Sequence, residues 1–162
     1  MDVQWLDQHE RLVDIGGRRL HAVAAGEGAP SVVFEGGLGS GIGTWAGLVQ
    51  RTVSLTSVVA YTRANVGRSD PAPQGRTSRD SIADLHALLA TLGAAPPYVI
   101  VGHSWGGALA LQFAADHPDE TAGMVLIDPA HHDASDWVRA QLPPDAVAKS
   151  LRVARGARRE PG

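Results

Sequence analysis

Apolar residues along the chain fall into short strand-like runs separated by segments with helical spacing. Runs rich in valine and isoleucine predict buried strands at residues 31–35, 57–63, 96–102 and 122–128. Apolar residues on one helix face predict helices at residues 44–53, 77–93 and 104–117. Two half-apolar stretches around Gly16-Gly17 predict a hairpin over residues 11–25. Strands that alternate with helices favour an α/β fold with a mostly parallel sheet and flanking helices.

The helix predicted at residues 77–93 carries the clearest boundary signals. Thr77 followed by Asp80 is typical of a capping box, and Gly93 is typical of a helix end. Between these boundaries the apolar positions form a stripe, which consists of Ile82, Leu85, Leu89 and Leu92. The stripe predicts that the helix packs against one face of the sheet.

Composition narrows the class of protein. The 162 residues are 44% hydrophobic and 19% charged, which fits one soluble globular domain. A net charge of −3 gives no electrostatic basis for binding nucleic acid or an anionic membrane. The absence of cysteine excludes disulfides, a thiolate nucleophile and zinc–sulfur sites. The start, MDVQWLDQHE, lacks the features of a signal peptide, so we expect a cytoplasmic protein.

The candidate chemistry lies at the junction of a predicted strand and helix. Gly102-His103-Ser104-Trp105-Gly106 matches the pattern G-x-S-x-G. On such a tight turn a serine hydroxyl projects above the sheet, and glycines are required where a Cβ would strike a neighbouring element. The helix N-terminus also directs N–H groups and a partial positive charge towards a developing oxyanion. Ser104 is therefore a candidate nucleophile.

This segment resembles the nucleophile elbow of the α/β-hydrolase family, and other stretches resemble that family in the same order. They are VVFEGGLGSG (32–41) at its oxyanion loop, YTRANVGRSD (61–70) after the next strand, and MVLIDPA (124–130) at the strand after the nucleophile helix. The resemblance covers roughly residues 10–130. It implies a partial hydrolase core over residues 1–130. It also implies that a cap region begins after residue 130. Within residues 131–162, the last eleven residues hold four arginines and almost no apolar side chains, which predicts a disordered tail.

The resemblance assigns roles to residues that match the family pattern. Ser104 matches the nucleophile, and the backbone N–H of Trp105 matches one oxyanion donor. The second donor is the backbone N–H of Leu38, or of Gly37 if the register shifts by one residue. The family usually has histidine where this chain has Gly36, so we expect the side-chain support of the oxyanion loop to be lost.

The acid and base that activate the serine follow it in the family, usually after later strands. This sequence shows no such strands, and we expect that stretch to be missing. Asp128 is a candidate acid at the end of the 122–128 strand, although Asp128-Pro129 is also typical of a simple turn. His131 is a candidate base, and the alternative for His131 and His132 is a pair of exposed loop residues.

The other histidines offer no evident site. His103, beside Ser104 on a tight turn, is expected to pack or hydrogen-bond locally. We expect His21, His86 and His117 to have no convergent partner. The chain also lacks the HExxH pattern, so the sequence predicts no metal site.

A dinucleotide-binding interpretation competes with the hydrolase one. Residues 41–46 match G-x-G-x-x-A, and Arg63 is placed to hold a 2′-phosphate. The preceding strand ends near Glu35, however, whereas this fingerprint should follow its strand almost at once. We therefore predict that the protein uses no cofactor.

Two functional hypotheses follow. The first is a serine hydrolase that acts on a small ester or related acyl substrate, with Trp45 and Trp105 either lining an acyl pocket or packing in the core. The second is a truncated, catalytically inactive hydrolase-fold protein that serves binding or interaction. The 122–128 strand would form an apolar sheet edge, and such an edge favours self-association.

Overall fold

A six-stranded mixed sheet is the centre of the computed structural model, which describes residues 3–130 of the chain. Its strands are β1 (Glu10–Asp14), β2 (Arg19–Ala25), β3 (Ser31–Glu35), β4 (Val58–Thr62), β5 (Tyr98–His103) and β6 (Thr121–Ile127). Its helices are α1 (Val3–His9), α2 (Ala46–Thr52), α3 (Ser78–Leu92) and α4 (Trp105–Asp116). Two short 3₁₀ turns, Ile42–Trp45 and Pro118–Glu120, precede α2 and β6.

The strand order is β1-β2-β4-β3-β5-β6. β1, β2 and β4 pair antiparallel, whereas β4, β3, β5 and β6 pair parallel. This arrangement confirms the predicted α/β class and mostly parallel sheet. Glu35 at the end of β3 lies opposite Gly102 near the end of β5. The loop after β3 and the turn after β5 therefore leave the sheet at the same edge.

Helices cover both faces of the sheet, and each face has its own apolar core. On one face, buried residues of α3 and α4, among them Leu88, Leu89 and Phe113, pack against the sheet. On the other face, Leu6 of α1 and Trp45 before α2 pack with sheet residues. Both layers exclude water from most of the central strands β2, β3, β4 and β5, as a parallel sheet requires.

The boundary signals of α3 are confirmed. Thr77 accepts a hydrogen bond from the Asp80 amide and Asp80 bonds back to the Thr77 amide, while Gly93 ends the helix in the left-handed conformation. Leu88 joins the predicted stripe as a fully buried residue, whereas Leu92 is only partly buried. Helix α1 was not predicted, because its seven residues are too few to show a clear apolar periodicity. Leu6 of this helix is buried in the core.

Strand β6 is the sheet edge opposite β1, and within residues 3–130 it pairs with β5 alone. Val125, Leu126 and Ile127 are each more than a third exposed. An apolar edge was expected here, and self-association through it stays a prediction. No helix in the described part of the chain is both long and apolar enough to cross a bilayer. The predicted cap region and tail lie outside the described residues.

Candidate functional site

Ser104 occupies a strained turn between β5 and α4. Its backbone has φ 51° and ψ −121°, a conformation that residues with a Cβ rarely adopt. Such strain costs on the order of 1–3 kcal/mol and persists only where the surrounding structure enforces it. The predicted strand–turn–helix geometry around Ser104 is thus present.

The flanking glycines are required by close backbone contacts. A Cβ on Gly102 would lie 2.6 Å from the carbonyl oxygen of Gly106. A Cβ on Gly106 would lie 2.2 Å from the carbonyl oxygen of Glu35 and 2.4 Å from that of Gly36. Contacts this short are not tolerated, so only glycine lets α4 sit this close to the end of β3.

The loop after β3 lies directly against the serine. A Cβ on Gly37 would be 3.4 Å from the Cβ of Ser104 and 3.1 Å from Nδ1 of His103. The carbonyl of Gly37 accepts a hydrogen bond of 3.2 Å from the Ser40 amide, which folds the loop into a tight turn. Within residues 3–130, the amides of Leu38 and Trp105 have no hydrogen-bond acceptor. These are the two predicted oxyanion donors.

Arg63 fixes the orientation of this loop. Its Nη1 donates to the carbonyl of Gly36 at 2.6 Å, and its Nη2 donates to the carbonyl of Gly37. In a trans peptide the C=O of Gly37 and the N–H of Leu38 point in opposite directions. By holding the Gly37 carbonyl, Arg63 therefore directs the Leu38 N–H away from itself. The expected loss of side-chain support was wrong, because the Arg63 side chain holds the loop through the carbonyls of Gly36 and Gly37.

A buried carboxylate balances the Arg63 charge. Glu35 is 1% exposed and accepts hydrogen bonds from Arg63 and from the Tyr61 hydroxyl. Burial raises the pKa of Glu35, an effect that the charge of Arg63 and the two hydrogen bonds partly offset. Burial and the Glu35 charge raise the pKa of Tyr61 well above its usual value.

This Glu35–Tyr61–Arg63 cluster was not recognised as part of the site from the sequence. The available signal was a glutamate at the end of an apolar strand and an arginine at the end of the next one. The cluster also weakens the dinucleotide interpretation, because the guanidinium assigned to a 2′-phosphate is occupied by Glu35 and two carbonyls.

A cavity of about 470 Å³ opens beside the loop and the turn. Leu38 and Trp105 contribute to its wall, together with Arg63 and the polar residues Asn65 and Ser81. Trp45 is 3% exposed and stacks at a tilt on Phe34, so it belongs to the core rather than to this wall. The wall therefore combines apolar and polar surface, with more of the former, and Trp105 and Tyr61 are its aromatic residues.

Asp128 lies beside the elbow, but its side chain does not engage it. The Ser104 amide donates to the carbonyl of Ile127 at 3.1 Å, and the Ala130 amide donates to the carbonyl of Ser104 at 2.9 Å. Asp128 itself is exposed, with φ 41°, and its carboxylate has no hydrogen-bond partner within residues 3–130. His131 lies outside the described residues.

The remaining described histidines lie in four places, and His9 is stacked on Trp5. His103 packs against Gly37, and its Nδ1 is buried without a hydrogen-bond partner in the described chain. The expectation that His21, His86 and His117 lack a convergent partner was wrong. His21 bonds Glu10 at 2.9 Å, the rings of His86 and His117 stack, and His86 contacts Glu120.

Comparison with known proteins identifies one family. The family model described as alpha/beta hydrolase fold matches residues 30–149. The uncharacterized protein YqjL of Bacillus subtilis is 30% identical over 129 residues, which are 79% of this chain and 51% of that protein. The soluble epoxide hydrolase of Corynebacterium sp. strain C12 is 32% identical over 114 residues, 70% of this chain and 39% of the relative.

Solved structures share the same architecture. A serine hydrolase involved in carbazole degradation is 27% identical, with a TM-score of 0.67 over 75% of this chain and 48% of that one. The chain thus spans about half, or less, of the length of these proteins.

Proposed function

Because the chain belongs to the α/β-hydrolase fold family, we propose that it is a serine hydrolase acting on a small ester or related acyl substrate. The observation that carries the proposal is the contact between two separate elements. The strained Ser104 turn faces a loop whose Leu38 amide is aimed by Arg63 and has no acceptor within residues 3–130. A nucleophile next to oriented donors is the arrangement that acyl transfer requires.

In the proposed reaction the hydroxyl oxygen of Ser104 attacks the acyl carbonyl carbon while a base takes its proton. The N–H groups of Leu38 and Trp105 stabilise the resulting oxyanion. Collapse expels the alcohol, which receives the proton, and water then releases the acid by the same steps. We propose His131 as the base and Asp128 as the acid, on their sequence positions and on the hydrogen bonds that hold residues 127–130 beside Ser104.

Labelling with a fluorophosphonate probe tests the nucleophile. We expect the folded protein to form a covalent phosphonyl adduct at Ser104, located by mass spectrometry of the digested chain. Ser104→Ala should not be labelled. Failure to label Ser104 in protein whose thermal unfolding is cooperative would contradict the proposal.

A second candidate function is binding without turnover. It is favoured by the geometry of the described histidines. His9 stacks on Trp5, His21 pairs with Glu10, and His86 and His117 lie near Glu120. His103 Nδ1 has no partner within residues 3–130, so none of the described histidines is bonded to Ser104. Saturable hydrolysis of p-nitrophenyl acetate that disappears in Ser104→Ala would exclude this candidate. Ligand binding without such turnover would support it.

The oxyanion role of Leu38 can be separated from that of its side chain. The side chain is 84% exposed, so Leu38→Ala keeps the amide and is expected to react as the wild type does. Leu38→Pro removes the N–H donor and is expected to slow labelling of Ser104 by about 10²–10³-fold. The measurement is the pseudo-first-order rate of fluorophosphonate labelling. Equal rates for the two variants would remove Leu38 from the oxyanion hole.

A further inference from the structure

A cluster of metal-ligating side chains lies at the end of α4 opposite Ser104. His86 comes from α3, His117 follows the last residue of α4, and Glu120 ends the 3₁₀ turn before β6. One ligand atom from each residue lies within 4.8 Å of the other two. Twelve helical residues span about 18 Å, so this cluster is separate from the Ser104 turn.

The contacts within the cluster bring the ligand atoms to one side. Nε2 of His86 lies 3.1 Å from both carboxylate oxygens of Glu120, and Nδ1 of His117 lies 4.0 Å from one of them. The two imidazole rings stack with centroids 4.4 Å apart and an interplanar angle of 7°. A metal ion lies in the plane of each imidazole that binds it, so one of these nearly parallel rings has to turn before both nitrogens bind the same ion.

A buried aromatic ring and backbone hydrogen bonds hold the cluster in place. Phe113 is fully buried, and its ring centroid lies 4.7 Å from that of His117 and 6.3 Å from that of His86. The backbone of His117 accepts hydrogen bonds from the Glu120 amide and the Thr121 hydroxyl, and its own amide donates to Phe113. His117 and Glu120 are therefore fixed relative to one another by the turn itself.

We propose that His86, His117 and Glu120 form a binding site for Zn²⁺, which ties α3 to the turn that begins β6. Two imidazole nitrogens and a carboxylate are a ligand set that zinc prefers, and water completes the tetrahedron. Ligand atoms around tetrahedral zinc lie about 3.4 Å apart, given metal–ligand distances of about 2.1 Å. The distance of 3.1 Å between His86 and Glu120 is already close to this spacing. Rotation of the His117 and Glu120 side chains would bring the His117 nitrogen within the same spacing of the other two ligand atoms.

The surrounding charges favour a cation on balance. Asp116 and Arg79 line the same surface hollow as His86 and His117. Arg79 opposes a cation, whereas the carboxylates of Glu120 and Asp116 attract one. The side chains of His86, Glu120 and His117 are 42%, 31% and 26% exposed, so an ion reaches them directly from solvent.

Thermal unfolding of the full chain with and without Zn²⁺ tests the site. A ligand that binds only the folded state raises the unfolding midpoint by mass action. At a hundredfold excess over its dissociation constant, we expect Zn²⁺ to raise the midpoint by about 5–10 °C. Mg²⁺, which prefers oxygen ligands, should leave it unchanged. Co²⁺ should give the intense visible absorption of a four-coordinate site.

Matched variants locate the binding. His86→Gln and His117→Gln retain a hydrogen-bond donor but lose the imidazole ligand, and both are expected to abolish the Zn²⁺ shift and the Co²⁺ absorption. His9→Gln changes a histidine that stacks on Trp5 at the far end of the chain, and should keep both signals. A Zn²⁺ shift that persists in both ligand variants, or is absent from the wild type, overturns the proposal. Labelling of Ser104 is expected to be the same in all these variants, so the outcome is independent of the hydrolase proposal.

Discussion

Replacing Arg63 by methionine is expected to lower the free energy of unfolding by about 3–5 kcal/mol at neutral pH. The reason is that Glu35, which is 1% exposed, would keep its charge in the core without a partner. The Tyr61 hydroxyl would be its remaining hydrogen-bond donor in the cluster. Urea unfolding followed by circular dichroism measures the loss.

The loss should depend on pH with a definite sign. Burial already raises the pKa of Glu35, and removing the Arg63 charge, which lowers that pKa, raises it further. A carboxyl whose folded-state pKa is raised contributes stability below its unfolded pKa, and this contribution is lost as pH rises through the folded value. The destabilisation of Arg63→Met relative to wild type should therefore be smaller near pH 5 than near pH 8.

Two further variants distinguish the buried charge from general damage. Arg68 makes an ion pair with Glu10 but its side chain is 60% exposed, so Arg68→Met is expected to cost at most about 1 kcal/mol. In the double variant Glu35→Gln/Arg63→Met no charge is left unpaired, and part of the lost stability should return. A loss of stability for Arg63→Met that is independent of pH would contradict a charged Glu35 as its cause.

The same substitution is expected to affect chemistry. Arg63 holds the carbonyls of Gly36 and Gly37, and so fixes the direction of the Leu38 amide. Without it the loop loses its anchor while Ser104 keeps its own strained turn. In the proposed hydrolase reaction, Arg63 would be a positioning residue that acts through the loop rather than by touching the substrate. In our proposal, one buried ion pair serves both the core and the oxyanion loop.

Local patterns predicted those parts of the site that are close in sequence. Five residues around Ser104 were enough to predict the turn, since glycines at fixed spacing have a specific steric reason there. The α3 boundaries followed from Thr77, Asp80 and Gly93 for the same reason. In each case the interacting atoms lie within a few residues of one another.

Contacts between distant segments were not predictable in this way. Glu35 and Arg63 are 28 residues apart, and His86 and Glu120 are 34 apart, so their pairing depends on the strand order. The order β4-β3-β5 places the ends of three strands side by side, and only then do Gly37, Arg63 and Ser104 become neighbours. Single-sequence periodicity predicts that strands exist, but carries little information on which residues face each other at their ends.

Gly106→Ala is expected to destabilise the protein by about 3 kcal/mol or more and to abolish labelling of Ser104. The added Cβ would lie 2.2 Å from the Glu35 carbonyl oxygen and 2.4 Å from that of Gly36. Both obstacles are backbone atoms, so no side-chain rotation relieves the clash, and α4 must move away from β3. That movement separates the Ser104 turn from the oxyanion loop.

Gly47→Ala is the matched control for this substitution. Gly47 lies in α2, and a Cβ there would meet no atom within 4 Å. Alanine has a higher helix propensity, so this variant should be neutral or more stable by about 0.5–1 kcal/mol, and it should keep full labelling. Thermal melts and labelling rates measured together separate folding from chemistry. If Gly106→Ala had the same unfolding midpoint and the same labelling rate as the wild type, this prediction would be contradicted. The Ser104 site would then not depend on the close packing of α4 against the end of β3.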